Sequence, residues 1–407
     1  MMKYFRLSDW LKCYSNLPAW SYHLIYEHVV THSLITPPVV NNSTWSADHE
    51  RKGNRLSAYL LLSQHYKHTK QFAVTDCQIE MAPRNLEPES VTTCNEDQLG
   101  LDNVVKADAI NDDKPPMKIV WRNVVIFAIL HLAALYAVTL IPRSQPLTWV
   151  WSVMYFMLAG MGVTAGAHRL WSHRSYKART PLRVLLAVCQ SAALQNDIFD
   201  WVRDHRVHHK YSETDADPHN ATRGFFFSHI GWLLVKKHPK VIAKGKLISL
   251  QDLYDDPVVM IQKRFYKLSV LLMCFIVPTI VPWYFWGETL WNSFYLASIL
   301  RYTVVLNSTW LVNSAAHMWG SKPYDRTINP SNNLAVVFCA FGEGFHNYHH
   351  VFPHDYATSE FGLRYNFTTM FIDFFALLGL VSDRKVISPK TIQMRKGRTG
   401  DRSVKSS

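Results

Sequence analysis

The chain has 407 residues, enough for one large domain or two of ordinary size. Its formal net charge of +12 predicts an anionic partner, which is phospholipid, a phosphorylated substrate or nucleic acid. The six cysteines are scattered without a Cys-x-x-Cys pair, which argues against a disulfide framework and against a cysteine-ligated zinc site.

The first 117 residues differ from the rest of the chain. Residues 1–80 carry six histidines without ligand-like spacing, and they contain neither a signal-peptide pattern nor an apolar run long enough to cross a bilayer. Because Met81 resembles a natural start, we interpret 1–80 as a disordered extension or a gene-model artefact without a catalytic role. Residues 81–117 are acidic and rich in turn formers, so we expect a flexible cytosolic tail.

Long apolar segments then predict an all-α membrane protein with four transmembrane helices in two hairpins. About twenty apolar residues cross a bilayer core, and the four segments that qualify are 119–141, 147–167, 268–286 and 290–316. The links 142–146 and 287–289 contain one Arg between them, whereas the loop 168–267 contains 17 Lys and Arg. The positive-inside rule therefore places this loop and both termini in the cytosol. The apolar run 184–194 is too short to span and predicts an interfacial or buried helix that starts at Thr180.

Nine of the twenty histidines lie in four short clusters near predicted ends of these spans: His168, His173, His205, His208, His209, His317, His346, His349 and His350. One trio of this kind could be solvated surface. Two trios, a pair and a single histidine, each at a predicted membrane exit, favour metal binding, and nine imidazoles are too many for one ion. The pattern predicts a two-metal site just outside the membrane, carried by a cytosolic helical cap.

The spacing within the clusters predicts how the histidines divide between two metals. Positions i, i+3 and i+4 share a helix face, as in the trio that starts at His205 and the trio that starts at His346. The second and third members of a trio differ by about 100°, so one helix can serve two neighbouring metals. His168 and His173 would lie about 140° apart on an α-helix, and we expect them to serve different metals.

The ligand chemistry limits which metals could bind but does not identify one. Imidazole suits Fe, Cu, Zn and Ni, and iron is preferred because two irons with open positions can bind and cleave dioxygen. Asp200, Asp204 and Glu343 are interpreted as carboxylates that orient the imidazoles. Asn313 lies one helical turn before His317, where it could hold a metal-bound water or make a hydrogen bond between helices.

Four long motifs carry a resemblance to a known family; they occupy residues 164–173, 196–214, 310–317 and 342–353. Over about 118–387 the chain resembles the membrane acyl-CoA desaturases, closely the stearoyl-CoA Δ9-desaturases, which leaves 388–407 as a basic C-terminal tail. The resemblance implies a multi-pass enzyme of the endoplasmic reticulum with a cytosolic active site. It implies two Fe²⁺ ions held by the nine histidines, with Asn313 acting through water. The reaction would insert a cis double bond, at Δ9, into a saturated fatty acyl-CoA with O2 and two electrons from cytochrome b5 and its NADH-dependent reductase.

The resemblance also implies a kinked, enclosed acyl tunnel with CoA at the cytosolic face. Matching positions assign the bend to Gln195, Trp201, Thr309 and Trp310, and the thioester and pantetheine to Asn196, Arg203 and Asp204. A saturated chain offers no polar handle, so tunnel shape must select the position of the double bond. Lysines of the long loop could bind the CoA phosphates, anionic lipid or acidic cytochrome b5, and the candidates are Lys236, Lys237, Lys244 and Lys246. Residues 152–156 are expected to close the tunnel and set chain length.

Other functions compete with this interpretation. The same oxidant could serve a desaturase of other regiochemistry, such as a Δ11 enzyme of pheromone synthesis, or a membrane di-iron hydroxylase. A non-enzymatic scaffold would not need the full set of nine histidines. A nucleic-acid binder would explain the charge, but the basic residues flank membrane spans and no recognition motif is present.

Overall fold

The first half of the described chain is a membrane hairpin followed by shorter helices. The structure, a computed structural model, describes residues 117–363 and 365–401, so the predictions for 1–80 and 81–116 lie outside it. The hairpin consists of α1 (Trp121–Leu140), a 3-10 turn (Ile141–Arg143), α2 (Pro146–Met161) and a π-helical continuation (Gly162–Ser172). Then follow β1 (Lys177–Ala178), α3 (Thr180–Ala193), α4 (Ile198–Tyr211), a 3-10 turn (Ala221–Arg223), a π-helical turn (Phe227–Gly231), α5 (Trp232–Leu234), α6 (Pro239–Gly245), α7 (Gln251–Tyr254) and α8 (Pro257–Arg264).

The second half repeats this order of hairpin and cap. One continuous helix consists of α9 (Tyr266–Val270), a π-helical segment (Leu271–Ile276) and α10 (Val277–Trp286), and it ends at Gly287, whose φ of 69° favours glycine. The next consists of α11 (Leu290–Asn292), a π-helical segment (Ser293–Leu300) and α12 (Arg301–Asn313). The cap then contains α13 (Ala315–Met318), α14 (Leu334–Cys339), α15 (His346–Val351), α16 (Phe367–Leu377), β2 (Val381–Ser382) and α17 (Pro389–Thr399), and β2 pairs antiparallel with β1.

Three helices in the described part are long and apolar enough to cross a membrane: Trp121–Arg143, Pro146–Ser172 and Tyr266–Trp286. They match the first three predicted spans within a few residues. The fourth predicted span, 290–316, is helical from Leu290 to Asn313. Its apolar sequence contains one charged residue, the buried Arg301. The Arg301 guanidinium donates to the backbone oxygens of Ala192 at 2.7 Å and Cys274 at 2.8 Å, so its donors are satisfied inside the protein. The count of four spans stays a prediction.

Small residues let the helix that carries the first histidines pack closely on α3. A side chain at Gly162 would place its Cβ 2.2 Å from the Gln190 backbone nitrogen. Gly166, one turn later, faces Trp171 and Leu186. This is the close helix approach that the spacing of the two glycines predicts. The predicted short helix is confirmed as α3, Thr180–Ala193.

Part of the predicted C-terminal tail is ordered against the cap. Helix α17 is held by ion pairs of Arg395 with Asp325 and of Lys396 with Glu360. Ile392 of α17 is buried in one apolar cluster with Tyr324 of the cap. The C-terminal segment through residue 401 therefore belongs to the folded unit.

Candidate metal centre and substrate cavity

The nine predicted histidines meet in two groups. The first group consists of His168, His173, His205, His209 and His349, and the second of His208, His317, His346 and His350. In each group the ring nitrogens available to a metal lie within 4.8 Å of one another. The Nε2 atoms of His168 and His349 are 2.9 Å apart, and those of His317 and His346 are also 2.9 Å apart. The fold therefore assembles two adjacent sets of converging imidazoles.

Helix periodicity divides each trio between the two groups. Helix α4 gives its i and i+4 members, His205 and His209, to the group of five, and α15 gives His346 and His350 to the group of four. The middle member of each trio, His208 in α4 and His349 in α15, joins the other group. This confirms the prediction that one helix serves two neighbouring sites.

The prediction for the first histidine pair is wrong. His168 and His173 lie in the same group, with ring centroids 4.9 Å apart. The reason is the π-helical end of α2, where the His173 nitrogen donates to the His168 oxygen at 3.1 Å. Such i→i+5 bonding brings residues five apart onto one face, whereas the 140° separation assumed an α-helix.

Burial and the neighbouring rings favour the neutral form of three of these imidazoles. Burial lowers the pKa of His205, His209 and His349 well below the usual histidine value, and the neighbouring imidazoles lower each pKa further. A neutral imidazole offers a lone pair to a metal, and a cationic one does not. The Nδ1 atoms of His346 and His349 are buried without a hydrogen-bond partner among the described residues. Converging Nε2 atoms on buried imidazoles fit divalent metal ions well.

Carboxylates lie behind three of the histidines. The Nδ1 atoms of His208 and His317 donate to Asp217 at 2.9 Å and to Glu213 at 3.2 Å, respectively. Glu343 lies 3.1 Å from His168 Nδ1, as predicted. Burial raises the pKa of Glu343, but the adjacent Arg169 guanidinium, 2.9 Å away, outweighs it and holds that pKa below its usual value. Glu343 is therefore an anion beside the five-histidine group.

The same role was predicted wrongly for two aspartates. Asp200 accepts from Arg203 at 2.9 Å and from Lys263 at 3.1 Å, and Asp204 accepts from Arg203 and Lys237. Both lie on α4 within three residues of Arg203, so the guanidinium is their nearest partner. Two of the three carboxylates that contact histidines, Glu213 and Asp217, were missed, although the acidic stretch 213–217 shortly after the trio that starts at His205 is a visible signal.

A tenth histidine was missed as well. His219 is buried, and its ring packs against that of His208 at an interplanar angle of 43°, with centroids 4.3 Å apart. It also lines the larger cavity beside the metal centre. In the sequence it stands alone between Pro218 and Asn220, so no ligand spacing distinguishes it.

A cavity of about 320 Å³ opens beside the histidines. Eight predicted residues line it: Gln195, Asn196, Trp201, Asp204, His205, Thr309, Trp310 and Asn313. The Gln195 amide donates to the Thr309 hydroxyl at 2.9 Å, which ties the start of α4 to α12 across the cavity. Of the remaining predicted substrate residues, Arg203 pairs with two aspartates, and Lys236 and Lys237 are exposed nearby.

A smaller cavity of about 50 Å³ adjoins the first. The two share Trp201, His205, Thr309 and Asn313, so they meet at these side chains. Its far end is lined by Gly160 and Phe341.

The predicted end of the tunnel, residues 152–156, lies close to this far end. The Phe156 ring packs on that of Phe341, with centroids 4.9 Å apart. Ser152 is buried and donates to the Thr148 backbone oxygen at 2.7 Å. Its role in chain length stays a prediction.

Comparison with known proteins now gives the geometry a context. The family model for fatty acid desaturases matches residues 144–365. Human stearoyl-CoA desaturase 5 is 65% identical over 286 residues, which cover 70% of this chain and 87% of that protein. An acyl-CoA desaturase of Cyprinus carpio is 62% identical over 71% of this chain and 89% of its own length. Human stearoyl-CoA desaturase is 58% identical over 72% of this chain and 81% of its own.

Proposed function

Because the chain belongs to the fatty acid desaturase family, we propose that its two histidine groups and the adjoining cavity insert a cis double bond at Δ9 of a saturated fatty acyl-CoA. The chain is an acyl-CoA desaturase, an oxidoreductase of the stearoyl-CoA 9-desaturase type. The Δ9 position fits the names of the relatives, and neither another regiochemistry nor hydroxylation is favoured.

The observation that carries the metal assignment is the pair of converging histidine groups, five and four, at the turn of the cavity. We propose one Fe²⁺ in each group, with Asn313 completing the group of four through a water. Both cavities include Asn313 in their walls, which supports this role. Bound iron supplies the oxidising power, drawn from O2 and two electrons, that removal of hydrogen from unactivated methylenes requires and that no side chain provides.

The residues of the chain position the substrate. Trp201, Thr309, Trp310 and Gln195 form the bend that holds two adjacent methylenes beside the histidines, while Trp201 also stacks on His205 with centroids 4.9 Å apart. A rigid bend selects the reacting carbons by distance from the thioester, because the alkyl chain has no polar group to recognise.

The polar side chains that line the larger cavity suit the CoA end. Asn196 and Asp204 line it, and we propose that they and Arg203 hold the thioester and pantetheine. We propose that Lys236 and Lys237 bind the CoA phosphates; their exposure, and the ion pair of Lys237 with the cavity residue Asp204, support this role. The substrate would then enter from the aqueous side.

We also propose the cellular setting. Four spans would anchor the chain in the endoplasmic reticulum, with both termini and the metal centre in the cytosol. Cytochrome b5 and its NADH-dependent reductase would deliver the two electrons. The excess of Lys and Arg in the loop 168–267 supports this orientation and an acidic electron donor.

Expression in a desaturase-deficient yeast tests the function. We expect rescue of growth, and mass spectrometry should locate the new double bond at carbon 9. His205→Ala should abolish rescue, whereas His238→Ala, which changes a histidine outside both groups, should retain it. A double bond elsewhere, or a hydroxylated product, would overturn the assignment. The purified protein should contain two iron atoms per chain.

A further inference from the structure

The loop that follows α4 is built around one buried carboxylate. Asp217 is 3% exposed and accepts from His208 Nδ1 at 2.9 Å. The same carboxylate accepts from the backbone nitrogens of Glu213 at 2.8 Å and His219 at 3.1 Å. Asp217 therefore fixes the path of the loop and the ring of one histidine with a single side chain.

Glu213 in the same loop adopts a backbone conformation that favours glycine. Its φ is 64°, in the left-handed region that a residue with a long side chain rarely occupies. Its carboxylate accepts from His317 Nδ1 at 3.2 Å. Glycine would fit this backbone conformation without strain, but it has no carboxylate and could not make the contact with His317, which lies 104 residues further along the chain.

Both carboxylates serve the same histidine group. His208 and His317 belong to the group of four, whereas Glu343 contacts His168 of the group of five. A carboxylate on Nδ1 fixes the tautomer, so the lone pair of Nε2 points to the metal, and it makes the imidazole a stronger ligand. The group with fewer histidines thus has two of its four rings oriented by one loop.

We propose that the loop 212–219 is a positioning device for the second metal, in which Glu213 and Asp217 lock His317 and His208 and so hold the ion of the four-histidine group. This inference rests on the proposed two-metal centre. Neither carboxylate lines either of the two cavities beside the histidines, so we assign both as positioning residues. Their loss should weaken one metal site and leave the other intact.

Metal release from purified, iron-loaded protein tests the proposal. We expect Glu213→Gln to weaken one of the two sites about 10- to 100-fold. Under a chelator, one iron per chain should leave correspondingly faster while the other leaves at the wild-type rate. The Glu213→Gly variant should lose the same iron faster than wild type. Its thermal stability should not fall, because glycine adopts the left-handed backbone conformation without strain. Asp383→Gly is the matched control: Asp383 is also acidic, has a φ of 51°, and pairs with the exposed Lys177.

A double variant identifies which iron is lost. His317→Ala removes a ligand of the four-histidine group, so adding Glu213→Gln to it should change iron release no further. Glu343→Gln should instead affect the other iron. If wild-type protein holds two irons and Glu213→Gln releases both at wild-type rates, the proposal is wrong. Wild-type protein without two irons would overturn the two-metal centre itself, a separate failure.

Discussion

Substitution of Gly160 by alanine should shorten the acyl chain that the enzyme prefers. An added Cβ would lie 2.1 Å from Cε2 of Phe341, and the ring must move by at least 1.3 Å to reach an ordinary contact of 3.4 Å. Gly160 and Phe341 both line the far end of the smaller cavity, so a displaced ring occupies space that the methyl end of the substrate would fill.

The size of the effect follows from the methylenes that lose their place. Burying one methylene contributes about 0.8 kcal/mol, so excluding the two that distinguish a stearoyl from a palmitoyl chain forfeits about 1.6 kcal/mol. This corresponds to about a 15-fold shift of the kcat/KM ratio towards palmitoyl-CoA. The assay is competition between the two acyl-CoA substrates, with both products quantified by mass spectrometry.

Two further variants make the result decisive. Adding Phe341→Leu to Gly160→Ala should restore much of the wild-type ratio because the smaller side chain no longer meets the new methyl group. Gly397→Ala adds a methyl group to α17 with nothing within 4 Å and should leave the ratio unchanged. A folded, iron-loaded Gly160→Ala protein with the wild-type ratio would refute the placement of the chain end beside Phe341.

Three other perturbations have defined outcomes. His349→Ala removes a ligand of the five-histidine group, so desaturation should cease while membrane insertion persists; an active variant, assayed in isolated membranes, would contradict the ligand assignment. Arg169→Met removes the guanidinium that pairs with the buried Glu343 and should cost about 3–5 kcal/mol, seen as a lower Tm in detergent; an unchanged Tm would show that the pair is dispensable. Burial raises the pKa of Glu288, but hydrogen bonds from Gln145, Thr289 and other donors outweigh it and lower that pKa. Because the pKa of Glu288 is lower in the folded state, its carboxylate stabilises the fold at pH values above the pKa of the unfolded state. This contribution is lost as the pH falls through the pKa of the folded state. The Tm difference between wild type and Glu288→Gln should therefore shrink below about pH 4.3. A Tm difference that grows below this pH would contradict a lowered pKa of Glu288.

Much of this protein could be predicted from periodicity and spacing alone. Apolar runs of bilayer length predicted three helices within a few residues, and the i, i+3, i+4 trios predicted that α4 and α15 each serve two sites. These patterns are local, because the turn of a helix relates residues that are close in sequence.

Other features were decided only by tertiary structure. The π-helical end of α2 turned His168 and His173 onto one face, and no residue type marks such a change of hydrogen bonding in advance. Asp200 and Asp204 pair with Arg203 and not with the histidines. Glu213 accepts a hydrogen bond from His317, which lies 104 residues away in the sequence. A sequence lists which groups are able to pair, but distance in the folded chain selects among them. The nine clustered histidines and Glu343 were therefore predictable, and the contacts of Glu213 and Asp217 with histidines were not.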